Sequence, residues 1–521
     1  MQVDKGKITA KISNVWVNES INENNYTIRL LLRNTSTATV TIPKYEFELQ
    51  AAEGYRLPIT SPIGDKMTLQ GLEEKYVTLN LSLPKIEMVN PQLFMNMPPA
   101  AESKDVLNYL VGVFDLPQSQ QMQNMIGQSQ SVQTKTGTLG VTLSAVQKLP
   151  WIDGDLVTAK ITINNPGYKT AVLPELTGEM KLDSASLGSD VKLISTQSVN
   201  VLGGGMSADL YVMAKLPKQL NFQQLQVSLM EKIGESSSEW VQFNQSGLTG
   251  LPTVSTGTSR VNSTQGKKEE TKVLRTYVYS SAANNLIYTE LEVKNGGYSQ
   301  VTLPQYTGMY QGSNGQTYAA QASQIETSVG PEEKSVVALW AKVPKKIEVS
   351  SLKLIVGEGI KDSKVTDTNK DLTGYVNAAA YELSAIQPIV KSNLSEMELF
   401  PYTLTVRGVR ASLTGSSSVN VNFEYKHTKN SDYLIGESSH KYLFELVDSS
   451  GRIYETEYTP EKDIKITESG TMSFSFNDSI FETRTYGTYK LNVYDLFQDQ
   501  KLLIGSQSGY YSSSGYINEM K

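Results

Sequence analysis

Hydrophobic and polar residues alternate with a period of two along much of the chain, the spacing of a strand with one face buried. Leu30 and Leu32 are flanked by Arg29 and Arg33. Ile161 and Ile163 are flanked by Lys160 and Asn164, and Leu291 and Val293 by Glu290 and Lys294. The apolar members keep their character while the flanking ones change charge freely. That predicts one core face and one solvent face in each strand. Helical periodicity is hard to find; Ala100–Leu110 could begin a short turn.

These segments belong to a longer repeat. Asn34-Thr-Ser-Thr-Ala-Thr-Val-Thr-Ile-Pro43 matches Asn165-Pro-Gly-Tyr-Lys-Thr-Ala-Val-Leu-Pro174 and Asn295-Gly-Gly-Tyr-Ser-Gln-Val-Thr-Leu-Pro304. The prolines recur 131 and 130 residues apart. A second anchor follows at Leu83-Pro84-Lys85, Leu216-Pro217-Lys218 and Val343-Pro344-Lys345. The Asn-containing stretches read as turn chemistry, since Asn and Gly tolerate positive φ. Each proline, lacking an N–H for a ladder bond, suits a strand end or edge. The strand before the second anchor alternates too: Leu79, Leu81 and Leu83 match Val212, Ala214 and Leu216, then Leu339, Ala341 and Val343. Several short alternating strands with frequent turns in about 110 residues predict a two-sheet sandwich.

The expected organisation is residues 1–117 as the first sandwich, 118–137 as a linker, and 138–247 as the second sandwich. A linker over 248–270 leads to a third sandwich over 271–360. Residues 361–394 form a linker with an extra strand around Tyr375–Ile386, and 395–521 a divergent C-terminal domain. In that last part Phe444-Glu-Leu-Val-Asp-Ser-Ser-Gly451 matches Phe47-Glu-Leu-Gln-Ala-Ala-Glu-Gly54 at four positions, but the Asn-to-Pro anchor is missing. The linkers are flexible joints or segments lying along a neighbour.

The three repeats, by their Asn turn, proline, Gly-containing hairpin and final Leu-Pro-Lys strand, resemble the tandem immunoglobulin-like modules of Gram-positive secreted and cell-surface proteins. The resemblance implies an all-β fold of tandem sandwiches and a structural or adhesive role outside the cell. It implies no catalytic residues, because such modules share none.

Composition narrows the chemistry. The 521 residues carry 47 basic and 53 acidic side chains, no cysteine and two histidines. Without cysteine there are no disulfides, thiolate nucleophiles or Cys-ligated metals. A net charge of −6 argues against nucleic acid. No apolar run approaches a membrane span, and no h-region of a signal peptide is present. An extracellular or cell-surface location, with any signal removed or outside this segment, is expected; a cytoplasmic chain is the alternative.

His427 and His440 lie in the divergent quarter and read as surface or turn histidines rather than catalytic bases. Asp367-Thr-Asn-Lys-Asp371 imitates half an EF-hand loop, but Leu372 and Ala378 stand where Gly and Glu are needed. A Lys–Asn isopeptide is not indicated, because Arg29, Lys160 and Glu290 share one position. No catalytic, metal or cofactor residue is therefore assigned, and no cofactor is expected. Tyrosine outnumbers phenylalanine 28 to 12, and tyrosine suits exposed contact surfaces. Trp340, out of phase with Leu339 and Ala341, is the candidate ligand or partner platform, with Tyr306, Tyr310 and Tyr318 in the same repeat. A non-enzymatic scaffold, stalk or self-assembling surface layer is the primary expectation, with self-association or a protein partner. A carbohydrate- or protein-binding array beside a surface enzyme or transporter, taking wall or surface polysaccharide, is the second. A glycoside hydrolase using two carboxylates is the third.

Overall fold

The computed structural model describes residues 2–512, leaving aside 4–6, 20–22, 53–54, 61–62, 64–66, 86–89, 100–106, 122–124, 135, 184, 196–199, 219, 234–235, 265–266, 415–416, 437–438 and 483–485. The start of the turn expected from Ala100 therefore lies outside the described residues. The chain is all-β. Among the described residues the only helical elements are three short 3-10 turns, at Gly188–Asp190, Val349–Ser351 and Ser479–Glu482. The chain divides into two compact units, residues 1–250 with 362–364 and residues 251–361 with 365–521.

In the first unit, strand Glu23–Asn34 is central between Ile8–Glu19 and Glu74–Pro84. Facing it is a second sheet in the order Tyr109–Asp115, Gln92–Met97, Glu46–Ala52, Tyr55–Ile59. The two share one apolar core that includes Ile28, Leu30, Leu32, Phe47, Leu79 and Leu93. Further along, Gly154–Asn164 is central between Gly137–Trp151 and Ser207–Leu216. Its facing sheet contains Leu176–Leu182, Gln224–Ile233 and Ser236–Ser246. The second unit repeats this ladder with Asn284–Asn295 between Lys267–Ser280 and Lys334–Pro344. Tyr306–Gly312, Leu352–Lys361 and Gly374–Glu382 face it. The sheet of the C-terminal part runs from Ile453–Tyr458 through Lys441–Asp448, Tyr486–Phe497, Gln500–Ser512, Tyr402–Thr414 and Ser418–Lys429 to Thr467–Asn477. Phe423, Phe444 and Phe474 form its aromatic centre. Phe444 lies in a hairpin with Ile453–Tyr458, as Phe47 does with Tyr55–Ile59.

Three local devices recur at equivalent positions. First, the strand before each central strand carries one extra residue: Ser13, Ser144 and Leu274. A bulge restores the inward phase, so Ile12 and Val15 both reach the core although they are three apart.

Second, the conserved-in-repeat asparagine is a buried staple. Asn34 Nδ2 donates to the carbonyls of Ala38 at 2.7 Å, Leu69 at 3.2 Å and Gln70 at 2.8 Å. Asn165 makes the same set to Lys169, Leu202 and Gly203, and Asn295 to Ser299, Val329 and Gly330. The Oδ1 atom accepts the N–H of Ser36, Gly167 or Gly297. None of the three asparagines has positive φ. The turn therefore needs the amide for its bonds, not for conformational freedom. Each proline of the first anchor follows a two-residue strand, as at Val40–Thr41, Ala171–Val172 and Val301–Thr302.

Third, the chain leaving each ladder clips onto its first strand just beyond the bulge. Gln120–Gln121 run parallel to Trp16–Val17. Thr249 N donates to Val146 O at 2.7 Å, and Ile386 N to Thr276 O at 2.9 Å.

The stretches 118–137 and 248–270 are consequently more than connections. Ser129–Thr134 pairs with Gly137–Trp151, and Arg260–Thr264 pairs with Lys267–Ser280, each adding an edge strand to the sheet that follows. Within 361–394 the alternating stretch is the strand Gly374–Glu382.

The flanking face of these strands departs from the expected solvent exposure. Arg29 is buried. Its Nη1 donates to Gln130 Oε1 at 3.1 Å, its Nη2 lies 3.6 Å from Glu239 Oε1, and its guanidinium lies over the Tyr76 ring. Thr78 Oγ1 donates to the same Glu239 oxygen at 2.7 Å, and Lys75 pairs with Glu231 at 3.4 Å. Burial pushes the Glu239 carboxyl up and the Arg29 guanidinium down, each against the pull of the other. Desolvation thus outweighs attraction, and the pair fixes the seam more than it stabilises it. A double-mutant cycle of Arg29→Met and Glu239→Met should return a coupling of about 1–2 kcal/mol. Each single change should destabilise the first unit more than the double change does, in urea unfolding of the full chain. Additive effects would show that the two charges do not act together.

Candidate functional site

In the third ladder the outward positions form a row across three strands. Tyr277 faces Tyr288, and Tyr288 faces Trp340; Arg275 faces Glu290, and Glu290 faces Ala338. The bulge at Leu274 sets this phase. Aromatic cross-strand pairs of this kind suit a pleated surface. The row meets Phe497, Leu502, His440 and Asp495. Trp340 meets Phe497 edge-to-face with centroids 5.2 Å apart, and Tyr288 meets it at 5.0 Å. His440 stacks on Phe497 at 4.3 Å and meets Tyr288 at 4.8 Å.

Charge is buried in this seam. His440 Nδ1 donates to Asp495 Oδ1 at 2.7 Å, and the Tyr279 hydroxyl donates to Asp495 Oδ2 at 2.6 Å. Glu290 pairs with Arg275 Nε at 2.8 Å. Arg275 reaches Glu398 at 3.6 Å and lies over the Phe400 ring at 4.3 Å. Burial pushes the Glu290 carboxyl up to about 7, against the pull of Arg275 and His440. Tyr279 and Tyr288 are raised well above the ordinary phenol value, by burial first and then by the neighbouring carboxylates. The Asp495–His440 contact has the form of a base held by its orienting acid. Phe497 and Tyr288 pack on the ring, so the pair is built into the packing of the seam.

Two cavities open beside this row and share Tyr288, Phe400 and His440. The smaller, about 180 Å³, lies under Ile386–Lys391 and reaches Glu290 and Asp495. The larger, about 600 Å³, is lined by Trp340, Ser323, Gln324, Asn369 and Lys370 among others.

The four aromatic residues singled out in the sequence do not share one surface. Trp340 is half-buried and lines the larger cavity. Tyr310 is fully buried in the facing sheet, and its hydroxyl crosses the core to Leu339 O at 2.8 Å. Tyr306 is buried too and donates to Glu269 Oε2 at 2.9 Å. Tyr318 is half-buried against the core and bonds to Gln316 Oε1 at 3.2 Å. Tyr306 and Tyr310 belong to the interior because their strand turns that face inward, where hydroxyls meet buried acceptors. A second buried acid, Glu358, lies in this interior. It accepts from Asn377 at 2.5 Å and Asn262 at 3.1 Å, and burial with the nearby Glu269 raises it to about 7.

Both histidines differ from their expected surface placement. His427 is wholly buried, with Nδ1 3.1 Å from Ile464 O, and burial lowers its pKa. His427 lies in the strand Ser418–Lys429 and His440 just before Lys441–Asp448, and neither setting gives a sign of the partners, which lie 37 and 55 residues away. Among the described residues, the most exposed aromatics carry no signal in the alternating pattern. Tyr168 and Tyr298 are 103% and 104% exposed, at the same position of two Asn-stapled loops.

No family model matches the sequence, and no curated protein matches it. Among solved structures, the chain is similar at 10% identity to dimeric latent PorU from Porphyromonas gingivalis. That match covers 79% of this chain and 36% of the other, with a TM-score of 0.15, at which it carries no argument about fold or function.

Proposed function

We propose that this chain is a non-enzymatic structural repeat protein, an array of immunoglobulin-like sandwiches that works outside the cell or on its surface as a scaffold and makes contacts with copies of itself or with a protein partner. The observation that carries the reading is the recurrence of one set of structural devices. The Asn staple, the bulge and the exit clip are kept at equivalent positions, whereas outward residues vary from Arg29 to Lys160 to Glu290. A repeat that keeps its fold-determining residues while the residues on the other face of its strands vary suits a spacer or scaffold. The parallel clip beside a bulge, joined to a two-sheet core, also favours the immunoglobulin-like reading. Buried polar seams such as Arg29–Glu239 resist bending between neighbouring ladders within a unit.

Tyr168 and Tyr298 supply the contact chemistry. Each is a large amphipathic ring on a loop whose backbone the buried amide already fixes, so little entropy is lost when it docks. Sedimentation velocity and electron microscopy over a concentration series test this. The native chain should form larger species, as sheets or fibres, with increasing concentration. The double variant Tyr168→Ser/Tyr298→Ser should assemble less at unchanged thermal stability. A chain that stays monomeric throughout would overturn self-association, and a compact scattering profile with one deep central cleft would overturn the scaffold reading.

A further inference from the structure

We propose that the cleft beside Trp340 in the second unit binds a short neutral saccharide. At about 600 Å³ it falls within the range of small-molecule sites, about 300–1,000 Å³. Its inner wall is aromatic: Tyr288, Trp340, Phe400 and Phe497. Its rim is polar and of mixed type, with Ser323, Gln324, Glu326, Asn369, Lys370 and Ser439. A sugar offers the matching chemistry. Its C–H face packs on a ring, and its hydroxyls both donate and accept.

Two observations favour this occupant over a peptide added as a strand and over a polyanion. A peptide docking by strand addition would need a free edge to pair with. The edge of Lys334–Pro344 along the cleft is already used. Lys334–Val336 pair with Tyr433–Ile435, and Leu339–Trp340 with Gln321–Ala322. Between them, Ser323 N donates to Ala338 O, and Ala338 N donates to Ser323 Oγ, both at 2.9 Å. A polyanion would need surplus positive charge. The rim instead holds one acid, Glu326, and one base, Lys370, and neither makes an ion pair among the described residues. Recognition is thereby left to side chains of balanced charge over aromatic rings.

Isothermal titration of the full chain tests this with neutral cello-, chito-, malto- and mannotetraose, and with oligogalacturonate as the charged counterpart. At least one neutral tetrasaccharide should bind. Trp340→Ala should weaken that binding about tenfold, equivalent to about 1.4 kcal/mol. Trp340 also packs on Phe497, so the rim variants Glu326→Ala and Lys370→Ala provide the independent reading. They should weaken binding severalfold with no change in thermal unfolding. Heat from none of the neutral probes, binding of oligogalacturonate alone, or neutral binding unchanged in all three variants would each overturn the site. The scaffold reading does not depend on the outcome.

Discussion

Replacing Asn295 by alanine should cost the second unit about 3–5 kcal/mol, since each buried polar group left unbonded costs about 1–3 kcal/mol. The side chain is fully buried. Its removal takes the side-chain donor from the carbonyls of Ser299, Val329 and Gly330, of which Gly330 O keeps Glu333 N at 3.2 Å, and the acceptor from the N–H of Gly297. Two of those carbonyls lie at the partly buried margin, where water can recover some of the loss, which keeps the total below the simple sum. Against a whole-domain stability of about 5–15 kcal/mol, this is a large fraction. Asn34→Ala and Asn165→Ala should reproduce the effect in the first unit, because their bonds are the same set. Asn295→Asp is the informative control. It keeps the acceptor for Gly297 but loses every donor and sets a carboxylate among carbonyls, so it should be no better than alanine. Urea unfolding of the full chain reads all four. A loss below about 1 kcal/mol, the worth of one ordinary hydrogen bond, would mean that the amide does not hold the loop.

The second unit should be more stable at pH 5 than at pH 8. Glu290 and Glu358 have folded-state pKa values raised to about 7 from an ordinary 4.5, each by burial first. A raised carboxyl binds its proton more tightly in the folded chain than in the unfolded one. Its stabilising contribution is therefore complete below about pH 4.5 and fades as pH rises through about 7. For one such group the difference is on the order of 3 kcal/mol, at 1.36 kcal/mol per unit. The two contributions are not simply additive, because Glu358 is coupled to Glu269, whose pKa burial raises as well. Thermal unfolding across pH 5 to 8 should show a falling midpoint for the transition of this unit. Glu290→Gln/Glu358→Gln should flatten the slope, since a neutral amide has no proton to lose. A midpoint that rises over this range would overturn the assignment. So would a slope the double variant leaves intact.

The alternating pattern and the repeat made much of each ladder legible. Inward residues such as Leu30, Ile161 and Leu291 are buried as the period requires. The equivalent anchors mark equivalent turns. The role of Asn34, Asn165 and Asn295 was visible as recurrence but misread as backbone freedom, because a turn residue and a buried staple leave the same trace in a sequence. The candidate site was legible only at Trp340, whose phase put it outside the core.

The sequence by itself determined which residues of each strand point inward, where the ladders turn, and that the chain is all-β. These are local properties, set by the pleat and by the missing N–H of proline. Only the tertiary structure decided what covers the other face. Arg29 and Glu290 look like solvent positions because alternation says only that they point away from one core. Their burial depends on groups far along the chain, Glu239 for the one and His440 and Asp495 for the other. No periodicity links residues that distant. The same long-range packing hides both histidines, raises the carboxyls of Glu290 and Glu358, and sets Trp340 at the wall of a cleft. Burial on the second face is a property of neighbours, and neighbours are chosen by the fold.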